Sequence, residues 1–477
     1  MTKRMVLFTT VLLLVIIAVP VLAANVKIKG DFNNRFTIYT NHNDWLDAEK
    51  GVLRDGNSSE TWGETKYRLW FDATTNDGKV KGVWAFEVGS LEYGKGKAAD
   101  GEGAGTGGGY SGDAINVETR WLYTDFQLPW LAGKARIRMG LQPFNVNPYL
   151  WKETIMGVSS DIAAGPVNLK LAWLRPYRDE TKDSDDDVED LDAFYGRVNF
   201  KPTKDVSAGV FGLYFQGDAD NSDPASFSTI TSQNYEVKKF KNEFDLSLFT
   251  IGTDGKANFG PMFLNWDLMY QTGSVDNADF KESYNGWDYH KGVVNEDFDV
   301  SAWLAHVDIG YKINKMKFTY TFWYASGDDD GSDSDFDAFM AVDIDRMDNI
   351  CIFKGMYAED DYYTEKDYLL DKGFIMNKLA FDYKASKKLS FGTAAMYMLT
   401  AEDIVYFDDD GKQRKEDEVG IEIDAYMKYK IYDNLEFAIN AGYLFSGDAM
   451  DFWEEGQRDG SSDEDIFISS CRVRYKF

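Results

Sequence analysis

Charged residues at alternating positions carry most of the chemistry open to this chain. Arg35, Arg68, Arg120, Arg136, Arg138, Arg197, Arg472 and Arg474 each stand in a run where apolar and polar residues alternate. So do Glu243, Asp245, Asp267, Asp308, Asp382, Glu422, Asp424 and Glu436, diluted by Lys312, Lys378 and Lys428. Fixed charges spaced in this way do not make or break bonds. They attract, repel and orient ions, and a guanidinium stays charged throughout. Bond-making chemistry is poorly served. His306 and Asp308 share one parity, but no Gly-x-Ser-x-Gly elbow supplies a nucleophile. The Gly-rich run 101–112 lacks the Lys-Ser/Thr of a phosphate loop. His42, His290 and His306 are too scattered for a metal triad, and Cys351 and Cys471 are read as free thiols. The acidic clusters at Asp183 to Asp187, Asp328 to Asp333 and Asp408 to Asp410 lack the full calcium-loop spacing and its closing glutamate. They read as solvated outer loops that could hold weak surface calcium at most. The expectation is a chain with no cofactor and no enzymatic reaction.

These charges are positioned by strand-length segments. Eighteen are read, at 26–39, 62–74, 79–90, 114–127, 134–142, 152–162, 166–175, 191–201, 205–215, 241–252, 259–272, 299–313, 315–326, 373–384, 388–399, 418–430, 434–446 and 464–477. Many alternate with period two, so successive side chains face opposite ways. Phe318, Tyr320, Phe322 and Tyr324 oppose Lys317, Thr319, Thr321 and Trp323; Ile421, Ile423 and Ala425 oppose Glu422 and Asp424. Tight turns such as Thr75-Asn76-Asp77-Gly78 and Asn314 alternate with long polar stretches, 327–372 the longest. Segment 152–162 is the least patterned. It is required because otherwise 134–142 and 166–175 would run the same way without a crossover.

Strands of roughly 10–14 residues match a tilted bilayer crossing better than a soluble sheet. The 28 Tyr, 33 Phe and 13 Trp, and only nine Pro, suit long paired strands with an aromatic exterior. The fold expected is all-β: a transmembrane antiparallel β-barrel of about 18 strands, with 16 as the alternative, short periplasmic turns and long extracellular loops. Residues 1–24 read as a secretory signal peptide, basic and then apolar, and 25–477 as the barrel. A net charge of −29 argues against nucleic acid.

In such a barrel one parity faces lipid and the other lines a bore too wide for side chains to fill. The arginines fall on strands one to eight and on the last, which adjoins the first at closure. The acids fall on strands ten to seventeen. A basic arc therefore faces an acidic arc of Asp245, Asp267, Asp308, Asp382, Glu422 and Asp424, with a transverse field between them.

The last nine residues put Cys471, Val473, Tyr475 and Phe477 on one face and Arg472, Arg474 and Lys476 on the other. A terminal Phe preceded by alternating aromatics resembles the closing strand of Gram-negative outer-membrane porins of the general-diffusion kind. Gly140-Leu141-Gln142, followed by a short loop through Tyr149, resembles the Gly-x-Gln found at the comparable place in several porin families. The resemblance implies that Tyr475 and Phe477 form the signal read by the barrel-assembly machinery. It implies export to the outer membrane, contact with lipid and lipopolysaccharide, and passive diffusion of small hydrophilic solutes and ions through a field that orients them. It also implies a loop folded inward and often a homotrimer, for which 40–61 or 91–113 could latch a neighbour. The third loop is short here, which departs from the family. The stretch 327–372 is the better inward candidate, since Phe336 to Met347 and Ile350 to Tyr357 hold apolar residues. Two other readings stand beside general diffusion: a porin selective for sugars, carboxylates or an anionic polymer, and a plugged barrel acting as a surface adhesin.

Overall fold

The structure, a computed structural model, describes residues 25–41, 59–96, 108–109, 115, 117–131, 133–177, 190–220, 240–241, 243–280, 296–329, 334–342, 344, 349–351, 368–369, 371–452 and 458–477. The signal-peptide stretch 1–24, the core of both latch candidates, the acidic run 183–187, Asp330 to Asp333, His42 and His290 lie outside them.

Eighteen strands form the wall. They are β1 (Asn25–Thr40), β2 (Ser59–Thr74), β3 (Val80–Glu92), β4 (Glu118–Gln127), β5 (Ala135–Asn147), β6 (Trp151–Ala164), β7 (Val167–Tyr177), β8 (Leu191–Phe200) and β9 (Val206–Asp220). There follow β10 (Glu243–Phe259), β11 (Met262–Phe280), β12 (Glu296–Ile313), β13 (Met316–Ala325), β14 (Phe374–Lys384), β15 (Leu389–Phe407), β16 (Gln413–Tyr432), β17 (Leu435–Ser446) and β18 (Ile466–Lys476). Each pairs antiparallel with the next, and β1 pairs with β18 from Asp31↔Lys476 to Thr40↔Phe467, so the sheet closes. Closure satisfies every edge, the condition for crossing a bilayer with strands.

The period-two rhythm becomes an outside and an inside. Ile28, Phe36 and Ile38 of β1, Phe318 and Tyr320 of β13, and Ile421 and Ile423 of β16 are exposed. Their alternates Asn33, Arg35, Thr37, Thr319, Thr321, Glu422 and Asp424 are buried inside. The exposed apolar side chains ring the barrel as a belt. At the seam the Gly30 N–H donates to the Phe477 carbonyl at 3.0 Å, and the Phe477 N–H returns to Gly30 at 3.1 Å.

Two expectations about length and filling change. First, β15 and β16 run on through much of 400–417, which the sequence suggested was loop. Beyond the belt neither face meets lipid, so the alternation that marks a strand disappears while pairing continues. Second, the bore is not lined by polar residues throughout. Tyr195, Phe211, Leu213, Phe215, Leu246, Leu248, Val300 and Leu304 point inward and are buried. They pack with Phe336, Phe339, Met340, Ile344, Ile350, Tyr368 and Leu369 from the stretch between β13 and β14, so its described parts fold into the barrel. Burying this surface from water drives the fold-in.

Candidate functional site

The lumen holds two different walls. On β18 and β1 to β8 the arginines expected from the sequence all sit on the inner side, each beside a carboxylate of the same face. Arg35 pairs with Glu64, and Arg474 forks onto Asp31 with contacts of 2.7 and 2.5 Å. Arg197 forks onto Asp254 of β10 at 2.7 and 2.5 Å, and Arg472 reaches Glu436 at 3.2 Å. The carboxylates are shared. Glu87 serves Arg68, Arg120 at 3.0 Å and Lys66 at 3.3 Å. Asp125 serves Arg136 at 2.6 Å and Arg138 at 3.1 Å, Asp72 serves Lys29 and Lys81, and Asp31 also takes Lys476. One carboxylate between two or three cations leaves the wall with surplus positive charge. Rings lie among these cations: Arg138 stands 4.7 Å over Tyr123, Lys170 4.2 Å over Phe144, and Trp70 lies against Trp121.

Most of the acidic arc is covered, Asp382 with its side chain 31% exposed being the exception, which corrects the transverse-field expectation. Glu422, Asp424 and Asp308 are on the inner side but covered. Glu422 Oε1 accepts the N–H groups of Ile350 and Cys351 at 2.6 and 2.8 Å. Asp308 accepts Thr321 and Asn265. Asp267 accepts Asn147 at 2.7 Å, and Asp382 is taken by Tyr426 and lies 3.6 Å from Lys317. Glu422 thus anchors chain that folds inward, Asp267 holds the flank of the β5–β6 tip, and Asp308 and Asp382 tie nearby wall strands together. Asp245 is a plain correction: it shares the parity of Phe249 and Ile251, which are exposed on the outer face. It sits at the end of β10, where apolar and polar residues alternate too weakly to fix its side.

Where β5 turns into β6, residues 148–150 fold inward and are clasped from across the bore. The Tyr149 hydroxyl meets His306 Nε2 of β12 at 2.7 Å, and the Tyr149 carbonyl accepts the Tyr368 hydroxyl at 2.6 Å. The Val342 N–H donates to the Leu150 carbonyl at 2.8 Å. His306 and Asp308, the pair a catalytic reading would use, belong to this clasp. Gln271 of β11 holds Met340 by two bonds, N–H in and C=O out, at 2.8 and 2.9 Å. Outside the belt, the Asp408 carboxylate is held below its usual range by the Lys412 N–H and by Arg414, while burial pushes Asp451 up beside the Tyr406 hydroxyl. Among the described residues no group of side chains has the makings of a metal site. Neither cysteine is in a disulfide; Cys351 lies inside the bore and Cys471 on the outer parity.

The sequence reading missed the partners rather than the arginines. Asp31, Glu64, Asp72, Glu87 and Asp125 share the inner parity of the cations they neutralise, so the strand register could have found them. Nothing in the pattern marks Tyr149 or Gln271.

A closed antiparallel barrel with an apolar belt, a charged bore and inward-folded constrictions is a membrane channel fold. The fold is that of Gram-negative outer-membrane porins. The chain is similar in structure to Pseudomonas aeruginosa OccK8 (OprE), with a TM-score of 0.52 at 12% identity over 95% of this chain and 98% of that one. It is equally similar to a BenF-like porin from Pseudomonas fluorescens Pf-5, with a TM-score of 0.52 at 10% identity over 95% and 98%. Pseudomonas aeruginosa OpdL gives 0.50 at 11% identity over 95% and 99%. No protein-family model and no curated protein matches the sequence.

Proposed function

We propose that this chain is an outer-membrane porin selective for small anionic solutes, carboxylates foremost. The reading departs from general diffusion because the β5–β6 tip and the described parts of the stretch between β13 and β14 fold into the bore. The observation that carries it is the sharing of Glu87 by three cations and of Asp31, Asp72 and Asp125 by two each. That surplus concentrates anions in the bore. Reversal potentials in a salt gradient across planar bilayers test it. The expected result is anion preference, with small carboxylates interrupting the current. A cation-preferring channel would overturn the reading. So would a folded barrel that conducts nothing, which would favour the plugged, surface-binding alternative instead.

A further inference from the structure

We infer that Lys170, rather than any of the arginines, sets the anion preference of the bore; the inference rests on the anion-selective reading above. Lys170 lies on the inner face of β7, opposite Asp161 of β6 and Arg197 of β8. Its ammonium stands 4.2 Å from the centroid of the Phe144 ring. Phe144 is itself buried against Tyr195 and Trp151, with ring centroids 5.2 and 6.4 Å away, so the amine borders an aromatic cluster on the inner face of β5, β6 and β8.

What separates Lys170 from its neighbours is the company it keeps. Arg138 is committed to Asp125 and Arg197 to Asp254. Among the described residues no carboxylate comes within ion-pairing distance of Lys170, and Asp161, across from it, is exposed to water. An aromatic face attracts an ammonium without cancelling its charge. The full positive charge is therefore presented to the bore beside the Phe144 ring, where low-dielectric walls strengthen its field. Arg197, matched one-to-one with Asp254, presents a dipole instead. A passing oxyanion would meet the ammonium with the Phe144 cluster beside it.

The experiment measures reversal potentials of wild type, Lys170→Gln, Lys170→Glu and Lys170→Arg in planar bilayers. Heat-modifiable migration on detergent gels verifies that each is folded. Removing one uncompensated charge from the bore should lower the anion-to-cation permeability ratio by about threefold or more in Lys170→Gln. Lys170→Glu should reverse the preference, and Lys170→Arg should keep it. An anion-selective wild type matched by Lys170→Gln would overturn the role of Lys170 and leave the channel reading standing. A wild type without anion preference would remove the reading itself, and this inference with it.

Discussion

Tyr149 and His306 come from opposite sides of the bore and meet with their rings stacked, centroids 4.3 Å apart, the hydroxyl 2.7 Å from Nε2. Both are fully buried. His306 is further framed by Asp267 at 3.6 Å and Asp308 at 3.9 Å, and Trp323 lies edge-on to both rings. One side chain from a three-residue tip is thus gripped by β11, β12 and β13 together. The inward position of the tip depends on that grip.

Tyr149→Phe keeps the ring contact and removes the hydroxyl. A buried imidazole that loses this partner costs about 1–3 kcal/mol. The tip should spend part of its time released. Single-channel recordings should then show a larger mean conductance with added open-state noise, and graded polymers should report a wider exclusion limit. A conductance equal to wild type would mean the tip is held without the clasp.

Gln271→Leu tests the second anchor. The amide both donates to and accepts from the Met340 backbone, and Gln271 is fully buried. Leucine leaves both backbone groups without those bonds, again at about 1–3 kcal/mol. Amide hydrogen exchange should speed up at Met340 and its neighbours while β11 itself stays protected. Unchanged protection at Met340 would show that apolar packing alone holds the segment.

The sequence made the strands legible because lipid and water impose a strict alternation wherever both are present. Even β6, the least patterned, appears where direction demanded it. The rhythm fails where one medium is replaced. Leu213 and Phe215 of β9, and Leu246 and Leu248 of β10, are apolar yet face inward, because folded-in chain stands there in place of water. For the same reason Glu422 was legible as an inner residue but not as an anchor: parity gives a side, and only packing gives a partner. Asp245 shows the limit at a strand end.

Glu87→Gln addresses the basic wall. It removes the counter-charge shared by Lys66, Arg68 and Arg120. Breaking a buried pair by deleting one partner costs about 3–5 kcal/mol at the upper end. The variant should unfold at lower urea in detergent, yet show a reversal potential shifted further toward anions. A shift toward cations would contradict the surplus-charge account.

The turn after β15 should respond to acid. Asp408 Oδ1 accepts the Lys412 N–H at 2.8 Å and Oδ2 accepts Arg414 Nε at 2.8 Å, which depresses its pKa. A depressed carboxylate stabilises above its unfolded pKa, and the contribution is lost as pH falls through the folded value. Asp451 has the opposite sign: burial raises it, so its contribution is present in acid and lost as pH rises. Going from about pH 7 to about pH 3, across the carboxylate range, the protection factor of the Lys412 amide should fall. That of Met450, whose N–H bonds the Gly447 carbonyl, should not. Equal loss at both would argue for general fraying instead.

The seam offers the sharpest test of closure. The Phe477 ring lies against Gly30 where a Cβ would stand, with its edge toward Phe32 at 5.6 Å and Tyr475 beside it at 5.3 Å. Gly30→Val would force Cε1 and Cζ of that ring aside and strain the reciprocal backbone bonds between Gly30 and Phe477. Overpacking of this kind costs about 1–3 kcal/mol, and here it falls on the pairing that joins the two ends of the chain. Gly82 of β3 is the control, because a Cβ there would meet open space. The heat-modifiable folded fraction should drop for Gly30→Val, as it should when Phe477 is deleted, while Gly82→Ala assembles normally. If Gly30→Val assembled as well as Gly82→Ala, the terminal ring would be a passenger, and the hydrogen-bond ladder from Asp31 to Thr40 would close the barrel without it.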